Sequence, residues 1–523
     1  MSTPVRAKRA AEVPLQYNLV EILERNLGES ADRLALLSPD REMTFAEVSV
    51  EVNKVTNALR SIGLGVGETV AIFAPDCAEW VTCFFGTLKA GGIALGTNTL
   101  LHPEGVRYML HDGSARVAIV HEELLETFEQ VRDDLPSLES VVVIGEATHS
   151  GDRAYAEWIA AEPETAEAAP TQRDDFAILN YSSGTTGEPK GILHAHKDPL
   201  LAAELWGANT LGIESSDRTL SVARLFFTFG LGGNLVFPWY VGAQTVLFPA
   251  SPRLAVTVLE MIERFRPTIL FSAPTGYAAA LAVEGLTTNH DLSSLRLCVS
   301  AGEALPAALW HHWQATVGVD IIDGIGSTEN FHIFLSNRPG RIRPGSSGRE
   351  MVGYELAIVD ESGHPVEQGE VGNLMVKGET AALSYLHDPA KSQETFQGEW
   401  LATGDKYYAD ADGYYWHAGR ADDMLKVGGI WTSPVEVESA LIAHPAVLEC
   451  AVIGQKDQSD LVKPKAFVIL NPGYDAGDEL AAGLIAHCRE KLAAYKRPRW
   501  IEFVDDLPKT ATGKIQRFKL RLL

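Results

Sequence analysis

The sequence predicts an α/β protein: a large multi-subdomain N-terminal domain of parallel-sheet α/β layers plus a small β region, followed by a smaller α+β C-terminal domain. Three observations carry this expectation. The chain has 523 residues, about three times the usual one-domain length, so more than one packed unit is required. Short apolar runs alternate with helix-like segments through most of that length, the pattern of parallel sheets covered by helices. From Gly348 the texture changes to β-branched runs separated by glycine-containing turns.

Taken in order, Thr69–Phe73 is a buried strand before a helix over 79–88, and Val117–Val120 is a strand before a helix over 122–133. Val141–Ile144, Thr268–Phe271 and Leu295–Val299 are further strands, and residues 160–169, rich in Ala and Glu, read as a surface linker. Leu225–Pro252 contains no charged residue and is long enough to span a membrane. Its glycines and prolines, together with Asn234 and Gln244, make it instead a buried strand-and-loop region near a pocket. In the β region, Leu356–Val359 and Leu374–Val376 are strands, with turns at Glu361-Ser362-Gly363 and Gln368-Gly369. Beyond Gly419-Arg420-Ala421-Asp422-Asp423 the mixed pattern returns, which places the domain boundary at Asp422: residues 1–421 form the large domain and 422–523 the small one. The first fourteen residues are expected to be mobile, from position and polarity alone.

Composition excludes whole classes of function. With 46% hydrophobic and 22% charged residues, and 10 Trp, 14 Tyr and 19 Phe, the chain has ample core and is not disordered. A net charge of −25 opposes generic binding to nucleic acid or anionic membranes. The five cysteines, Cys77, Cys83, Cys298, Cys450 and Cys488, are odd in number and form no C-x-x-C pair. This fits a reducing cytoplasm without a disulfide framework or zinc site. Residues 11–20 are too polar for a signal-peptide core, so no secretion is expected. Residues 485–523 carry ten Lys or Arg against four acids. Two readings of this basic tail stand: a contact for a phosphorylated ligand, or a solvated helix face.

Tyr181-Ser182-Ser183-Gly184-Thr185-Thr186-Gly187-Glu188-Pro189-Lys190-Gly191 is the most informative stretch. A strand at Ala177-Ile178-Leu179 runs into a loop whose backbone N–H groups and hydroxyls can surround phosphate oxygens. It is not the G-x-x-x-x-G-K-[ST] loop, because Pro189 stands where the second glycine belongs and Gly191 follows Lys190. The loop resembles the signature of the adenylate-forming superfamily, which includes acyl-CoA synthetases, adenylation domains of peptide synthetases and firefly luciferase. Further matches occur in the family's order: Gly326-Ser327-Thr328-Glu329, Trp400-Leu401-Ala402-Thr403-Gly404-Asp405, the segment around Arg420, and Pro508-Lys509-Thr510-Ala511-Thr512-Gly513-Lys514. The resemblance covers nearly the whole chain.

Each match has a chemical reading beside the inherited one. Taken alone, Ser327 or Thr328 is a helix cap, and Glu329 is a carboxylate able to hold Mg²⁺ bridged to ATP. The resemblance implies that Thr328 contacts the α-phosphate and Glu329 is the metal-linked acid, with Ser182, Ser183, Gly184, Thr185, Thr186, Gly187 and Lys190 around the phosphates. A carboxylate in a Thr-Gly-Asp turn can accept bonds from both ribose hydroxyls. By resemblance, Asp405 and Arg420 hold the ribose, while Gly302, Glu303 and Asp323 line the adenine side. Charge count alone calls Lys514 solvated. The resemblance makes it the catalytic lysine, which aligns the substrate carboxylate with the α-phosphate and offsets charge that develops as pyrophosphate leaves. Asp422 matches the hinge on which the small domain turns, making that domain mobile so that Lys514 can leave for the thiol to enter. Val427, Gly428 and Gly429 match the strand lining the pantetheine path, where absent side chains permit close approach; a plain turn is the other reading of the glycines.

Within the superfamily the sequence is most similar to benzoate–CoA ligases, which carry Phe-Phe-Ala-Tyr-Gly-Leu-Gly and a His-Ile pair after the Thr-Glu. Here the segments read Phe226-Phe227-Thr228-Phe229-Gly230-Leu231-Gly232 and Thr328-Glu329-Asn330-Phe331-His332-Ile333. Thr228 adds a hydroxyl and Phe229 removes one. An aromatic wall of Phe226, Thr228 and Phe229, with Gly326, His332 and Ile333, favours a compact ring acid over a linear tail. His332 either touches the substrate or is a core histidine.

The resemblance therefore implies an ATP-dependent acid–thiol ligase for benzoate or a substituted benzoate, using ATP, Mg²⁺ and CoA. Cyclohexanecarboxylate and heteroaromatic acids stay open, as does a homodimer. The rival readings are a stand-alone adenylating enzyme that loads a carrier protein, a luciferase-like oxygenase and an inactive nucleotide sensor. Nine residues follow Lys514, so no attached carrier domain is expected, which favours CoA.

Overall fold

The computed structural model describes residues 4–147, 149–182, 189–249, 255–427, 430–458, 461–509 and 515–522. Two large sheets form the body of the N-terminal domain. One runs Arg153–Ala154, Ser140–Ile144, Ala115–His121, Thr69–Phe73, Ile93–Gly96, Phe176–Ser182 and Lys190–Ala195, parallel except for the last pair. The other has parallel strands Leu34–Leu37, Gln244–Val246, Arg218–Ser221, Ile269–Ser272, Leu297–Ser300 and Ile321–Gly326 at its centre, with antiparallel strands at both edges. Fully apolar runs such as Thr69–Phe73, buried along their length, are what a sheet covered on both faces requires.

Helices Phe45–Ser61 and Ala78–Ala90 pack on one another against these sheets. Phe45–Ser61 begins with a capping box in which Thr44 and Glu47 satisfy each other's backbone N–H groups. Its Phe45 meets the Trp239 ring edge-on at 5.6 Å, and Phe85 from the next helix stacks on Trp239 at 5.2 Å. One core thus joins residues from both sheets.

The uncharged stretch departs from the sequence expectation. Instead of strand and loop, it forms a helix from Thr228 to Val241, with a π-helical turn at Gly232–Val236, and only then the strand Gln244–Val246. The glycines serve close packing rather than chain reversal. A Cβ on Gly230 would lie 2.2 Å from the Arg224 carbonyl oxygen, and one on Gly232 would lie 2.4 Å from His332 Cδ2. Among the described residues no helix is long and apolar enough to cross a membrane.

The helix expected over 122–133 is also broken. It becomes the 3-10 turn Glu122–Leu124, the helix Leu125–Glu129 and the 3-10 turn Arg132–Asp134. The chain leaves helical geometry at Val131, φ −130°, where Val131 is buried and Arg132 reaches Asp152 at 2.8 Å. In place of the mobility expected for the first fourteen residues, the described ones are anchored: Ala7 and Val13 are each 1% exposed, and Arg173 Nη1 donates to the Val13 carbonyl at 2.6 Å. Ala160 ends the helix Tyr155–Ala160, and residues 161–169 run without regular structure beside helix Phe45–Ser61, whose Asn53 and Asn57 donate to the Glu164 and Pro163 carbonyls.

The β region is an antiparallel sheet of Tyr354–Val359, Gly372–Gly378, Trp400–Ala409, Phe396–Gln397 and Tyr415–Arg420. The smaller C-terminal domain packs helices Pro434–Ile442 and Asp478–Lys491 on the sheet Val447–Lys456, Val462–Leu470 and Trp500–Phe503. Four of the basic residues in its tail form internal ion pairs. Lys496 pairs with Glu436 at 2.6 Å, Lys509 with Glu449 at 2.7 Å, and Arg521 with Asp423. Arg517 forms a two-pronged bond to Glu438, at 2.8 and 2.9 Å, with Asp423 3.6 Å away. Glu438 also accepts the Val452 N–H at 2.7 Å.

Removing one partner of a buried pair strands the other charge, at a cost of about 3–5 kcal/mol. Glu438→Ala is therefore expected to lower the stability of the small domain by about 3 kcal/mol, at the low end because Asp423 remains beside Arg517. Urea unfolding with a probe in residues 430–520 measures it; an unchanged midpoint contradicts the role given to this pair.

Candidate active site

A cavity of about 900 Å³ lies between the two large sheets, and the C-terminal residues Asp506, Leu507, Pro508 and Lys509 form part of its lining. Of the residues singled out by sequence, it brings together Phe226, Thr228, Phe229, Gly302, Gly326, Thr328, His332 and Ile333. Ser183, Gly184, Thr185, Thr186, Gly187, Gly428, Gly429 and Lys514 lie outside the described residues.

The Thr328–Asn330 turn links antiparallel strands Ile321–Gly326 and Ile333–Ser336. Ser327 caps it by accepting the Asn330 N–H at 3.3 Å. Phe331 then takes φ +64°, a left-handed conformation that costs a non-glycine residue roughly 1–3 kcal/mol. Several contacts hold the turn in place. The Ala382 N–H donates to the Glu329 carbonyl at 2.8 Å, and the Tyr385 hydroxyl donates to Glu329 Oε1 at 2.8 Å. The Phe331 ring is buried edge-on to His194 at 5.4 Å. Tyr385 in turn bridges strand Lys190–Ala195 at Ile192, and Lys190 Nζ lies 5.2 Å from its ring centre. Burial, Glu329's charge and its acceptance of the hydroxyl hydrogen all push the Tyr385 hydroxyl upward, which keeps it a donor. Ser182 and Lys190, opposite each other in register, flank the undescribed loop.

The segment around Asp405 is a bulge within strand Trp400–Ala409, not a free turn. Register slips there against Gly372–Gly378, and Gly404 takes φ +75°. Asp405 and Arg420 face each other across the strand pair. Arg420 Nη1 lies 3.3 Å from Asp405 Oδ2, and His417 Nε2 lies 3.3 Å from Oδ1. The Asp405 charge raises the Arg420 guanidinium further, so Arg420 stays charged. Asp422 is exposed, with Oδ1 3.9 Å from Arg420 Nε. Val427 is buried in the core of the small domain rather than in the cavity lining.

Asp323 sits in strand Ile321–Gly326, buried, its carboxyl raised well above the usual carboxylate range by desolvation. Its Oδ1 has no hydrogen-bond partner. Asp323 stands in register with Ser300, two residues before Gly302, and an orphaned buried oxygen there fits a polar ligand edge such as the amino edge of a purine.

In the aromatic part of the cavity, His332 packs against Trp206 at 4.8 Å, Phe237 at 4.6 Å and Phe229 at 5.5 Å. Its Nε2 donates to the Phe229 carbonyl at 3.1 Å, and its Nδ1 is buried without a partner. Burial lowers its pKa to about 3, so the imidazole is neutral. The Phe226 loop is anchored from the other sheet by Asp76, which accepts the Leu225 N–H at 3.1 Å and lies 3.9 Å from Arg224. Burial pushes Asp76 up to about 6.

Sequence reasoning did not find Tyr385, His194, His417 or Asp76. Their only signal was a polar residue inside an apolar strand or loop, and its partner is far away in the chain. At the mouth, Lys509 pairs across the backbone with Ile515, and the Gln516 N–H donates to the Pro508 carbonyl at 2.7 Å. The described residues on either side of 510–514 are thus paired with each other beside the cavity.

Comparison with known proteins places these features in a family. The model of AMP-binding enzymes matches residues 23–386, and that of the AMP-binding enzyme C-terminal domain matches 436–514. The chain is 47% identical to benzoate–CoA ligase of Thauera aromatica, over 98% of its own length and 97% of the relative's. It is 40% identical to 4-hydroxybenzoate–CoA/benzoate–CoA ligase of Rhodopseudomonas palustris, over 97% and 95%. Among solved structures, the anthranilate CoA ligase AuaEII in complex with anthranoyl-AMP superposes with a TM-score of 0.96 at 63% identity, covering 98% of both chains. A benzoate CoA ligase from Burkholderia xenovorans superposes with a TM-score of 0.90 at 40% identity, covering 97% of this chain and all of that one.

His332 supplies a test by pH. A group whose folded pKa lies below its ordinary value of about 6.5 stabilises the fold above that value, and the contribution is lost as pH falls toward the folded pKa. At roughly 1.4 kcal/mol per pH unit, the wild type is expected to lose roughly 2–3 kcal/mol between pH 6.5 and 4.5 that His332→Gln does not lose. Urea melts at the two pH values check it; parallel losses contradict a neutral buried His332.

Proposed function

The chain belongs to the AMP-binding enzymes, and from that membership we propose that it joins an aromatic carboxylate, benzoate or a substituted benzoate, to CoA through an acyl-AMP intermediate. The observation that carries this is one cavity lined both by the aromatic wall of Phe226, Phe229 and His332 and by the Thr328 turn and Gly302. A ring acid there lies next to the groups that suit a nucleotide.

The substrate carboxylate attacks the α-phosphorus of ATP, and pyrophosphate leaves. CoA thiolate then attacks the acyl carbon and AMP leaves. In this reading Thr328 and the loop 182–190, with Lys190, bind the phosphates, and Lys514 aligns carboxylate and phosphate during the first step. Asp405 and Arg420 hold the ribose, and Asp323, Gly302 and Glu303 face the adenine. Glu329, fixed by Tyr385, would hold Mg²⁺, a cation that takes one or two carboxylates together with phosphate oxygens. When bound, that ion neutralises phosphate charge. The domain limits of 1–421 and 422–523, with Asp422 as hinge and Val427, Gly428 and Gly429 on the CoA path, complete the proposal. It is supported by a separate core in the small domain. Five free cysteines fit a reducing compartment.

A second reading of the ring, 2-aminobenzoate, is favoured by the 63% identical relative whose structure contains anthranoyl-AMP. The unpartnered Nδ1 of His332, an acceptor in a cavity-lining residue, also suits an amino substituent.

The reading is tested by pyrophosphate release with benzoate, its hydroxy, amino and halo derivatives, cyclohexanecarboxylate and hexanoate, each with and without CoA. CoA-dependent turnover on ring acids is expected. Release that ignores CoA points to a carrier-protein acceptor, and preference for hexanoate overturns the aryl assignment. Phe229→Ala is expected to narrow the benzoate-over-hexanoate ratio of kcat/KM about tenfold, since lost ring packing is worth about 1–2 kcal/mol. An unchanged ratio removes Phe229 from the pocket wall. Lys514→Ala is expected to lower adenylation by about 100-fold or more while thioester formation from supplied aryl-AMP persists; equal loss of both steps contradicts its role.

A further inference from the structure

His194, on strand Lys190–Ala195 just after the phosphate loop, is fully buried. The reaction scheme gives it no part. Its Nε2 lies 2.7 Å from the Thr328 carbonyl oxygen, 134 residues away in the chain, and its Nδ1 lies 3.1 Å from Asp198 Oδ2. A carbonyl only accepts, so Nε2 carries the hydrogen and donates. Asp198 is itself fixed: Oδ2 accepts the Ala195 N–H at 2.9 Å, and Lys197 Nζ stands 3.4 Å from Oδ1. The imidazole thus donates from Nε2 and stands against Asp198 at Nδ1, and the Phe331 ring closes on it edge-on at 5.4 Å. Rotation about either χ angle would break a bond in a buried place where no water can replace it.

We propose that His194 is a positioning residue for adenylation: its Nε2–H fixes the Thr328 carbonyl, and with it the aim of the Thr328 hydroxyl and the Glu329 carboxylate at the nucleotide phosphates. This rests on the phosphate roles proposed for Thr328 and Glu329. The Thr328 turn ends in a residue at φ +64°, so it does not hold its shape by local preference alone. Strand Lys190–Ala195 leaves the loop expected to hold the β- and γ-phosphates. His194 therefore ties the two phosphate-binding segments together by one hydrogen bond, and their spacing is what in-line attack depends on.

Two polar substitutions separate positioning from core packing. In His194→Gln the amide nitrogen reaches about as far as Nε2 and can still donate to Thr328. In His194→Asn it reaches only as far as Nδ1, keeping Asp198 and losing Thr328. Aryl-acid-dependent ATP–pyrophosphate exchange, thioester formation from supplied aryl-AMP and CoA, and thermal melting are measured for each. His194→Asn is expected to lower kcat of exchange by about tenfold or more, with KM for the acid within about twofold and the second step within about threefold. His194→Gln is expected to restore exchange to within about threefold of wild type. Equal exchange in the two variants, or equal loss in both half-reactions, overturns the proposal, as does failure of both to fold, which would make His194 a packing residue. If the wild type shows no exchange with aryl acids but does with another acid, the substrate reading fails instead, and the Asn–Gln comparison is made with that acid.

Discussion

A three-residue turn, Thr328–Asn330, is the constraint on which the rest of the site depends. It must place Thr328 and, beyond Phe331, His332 and Ile333 on the lining of one cavity. Phe331 meets that demand by adopting φ +64°, which reverses the chain within a space too small for a longer loop. The conformation is unfavourable for phenylalanine and is paid for by its surroundings. The Phe331 side chain is fully buried, the Ala382 N–H and the Tyr385 hydroxyl hold Glu329, and His194 holds the carbonyl before it. The partners arrive from two distant segments, 382–385 and strand Lys190–Ala195, so the turn also measures whether these are assembled correctly against it.

The aromatic wall depends on the same assembly. The helix over 228–241 can lie against His332 because residue 232 has no Cβ, and its Gly230 backs onto the Arg224 carbonyl. Asp76, a buried carboxyl from the other sheet, holds the Leu225 N–H that starts this segment. The pocket is therefore rigid on three sides, with His332 kept neutral by burial. A neutral, ring-lined wall thus stands beside the Thr328 turn in one cavity.

The small domain reaches the cavity with Asp506, Leu507, Pro508 and Lys509. Ion pairs from Lys509 to Glu449 and from Arg517 to Glu438 hold the described residues on either side of 510–514 to that domain. Four basic residues of the tail, Lys496, Lys509, Arg517 and Arg521, thus serve their own domain's architecture.

Much of this was legible in the sequence. Apolar runs such as Thr69–Phe73 fix their own strands because a doubly covered sheet needs an uninterrupted buried face, and the spaced motifs pointed to Thr328, which lines the cavity, and to Asp405 and Arg420, which face each other across two strands. What the tertiary structure alone decided is how distant polar residues pair. Glycines at 230 and 232 read locally as helix breakers, yet the helix forms because tight packing rewards the missing Cβ more than propensity penalises it. Thr403-Gly404-Asp405 reads as a turn, and pairing with strand Gly372–Gly378 makes it a bulge. His194, Asp76 and Tyr385 carry no local signature, because a hydrogen bond between residues 50 to 150 positions apart leaves no periodicity in the chain. Local preference sets which elements form; only their packing brings the donors and acceptors of the site within bonding distance.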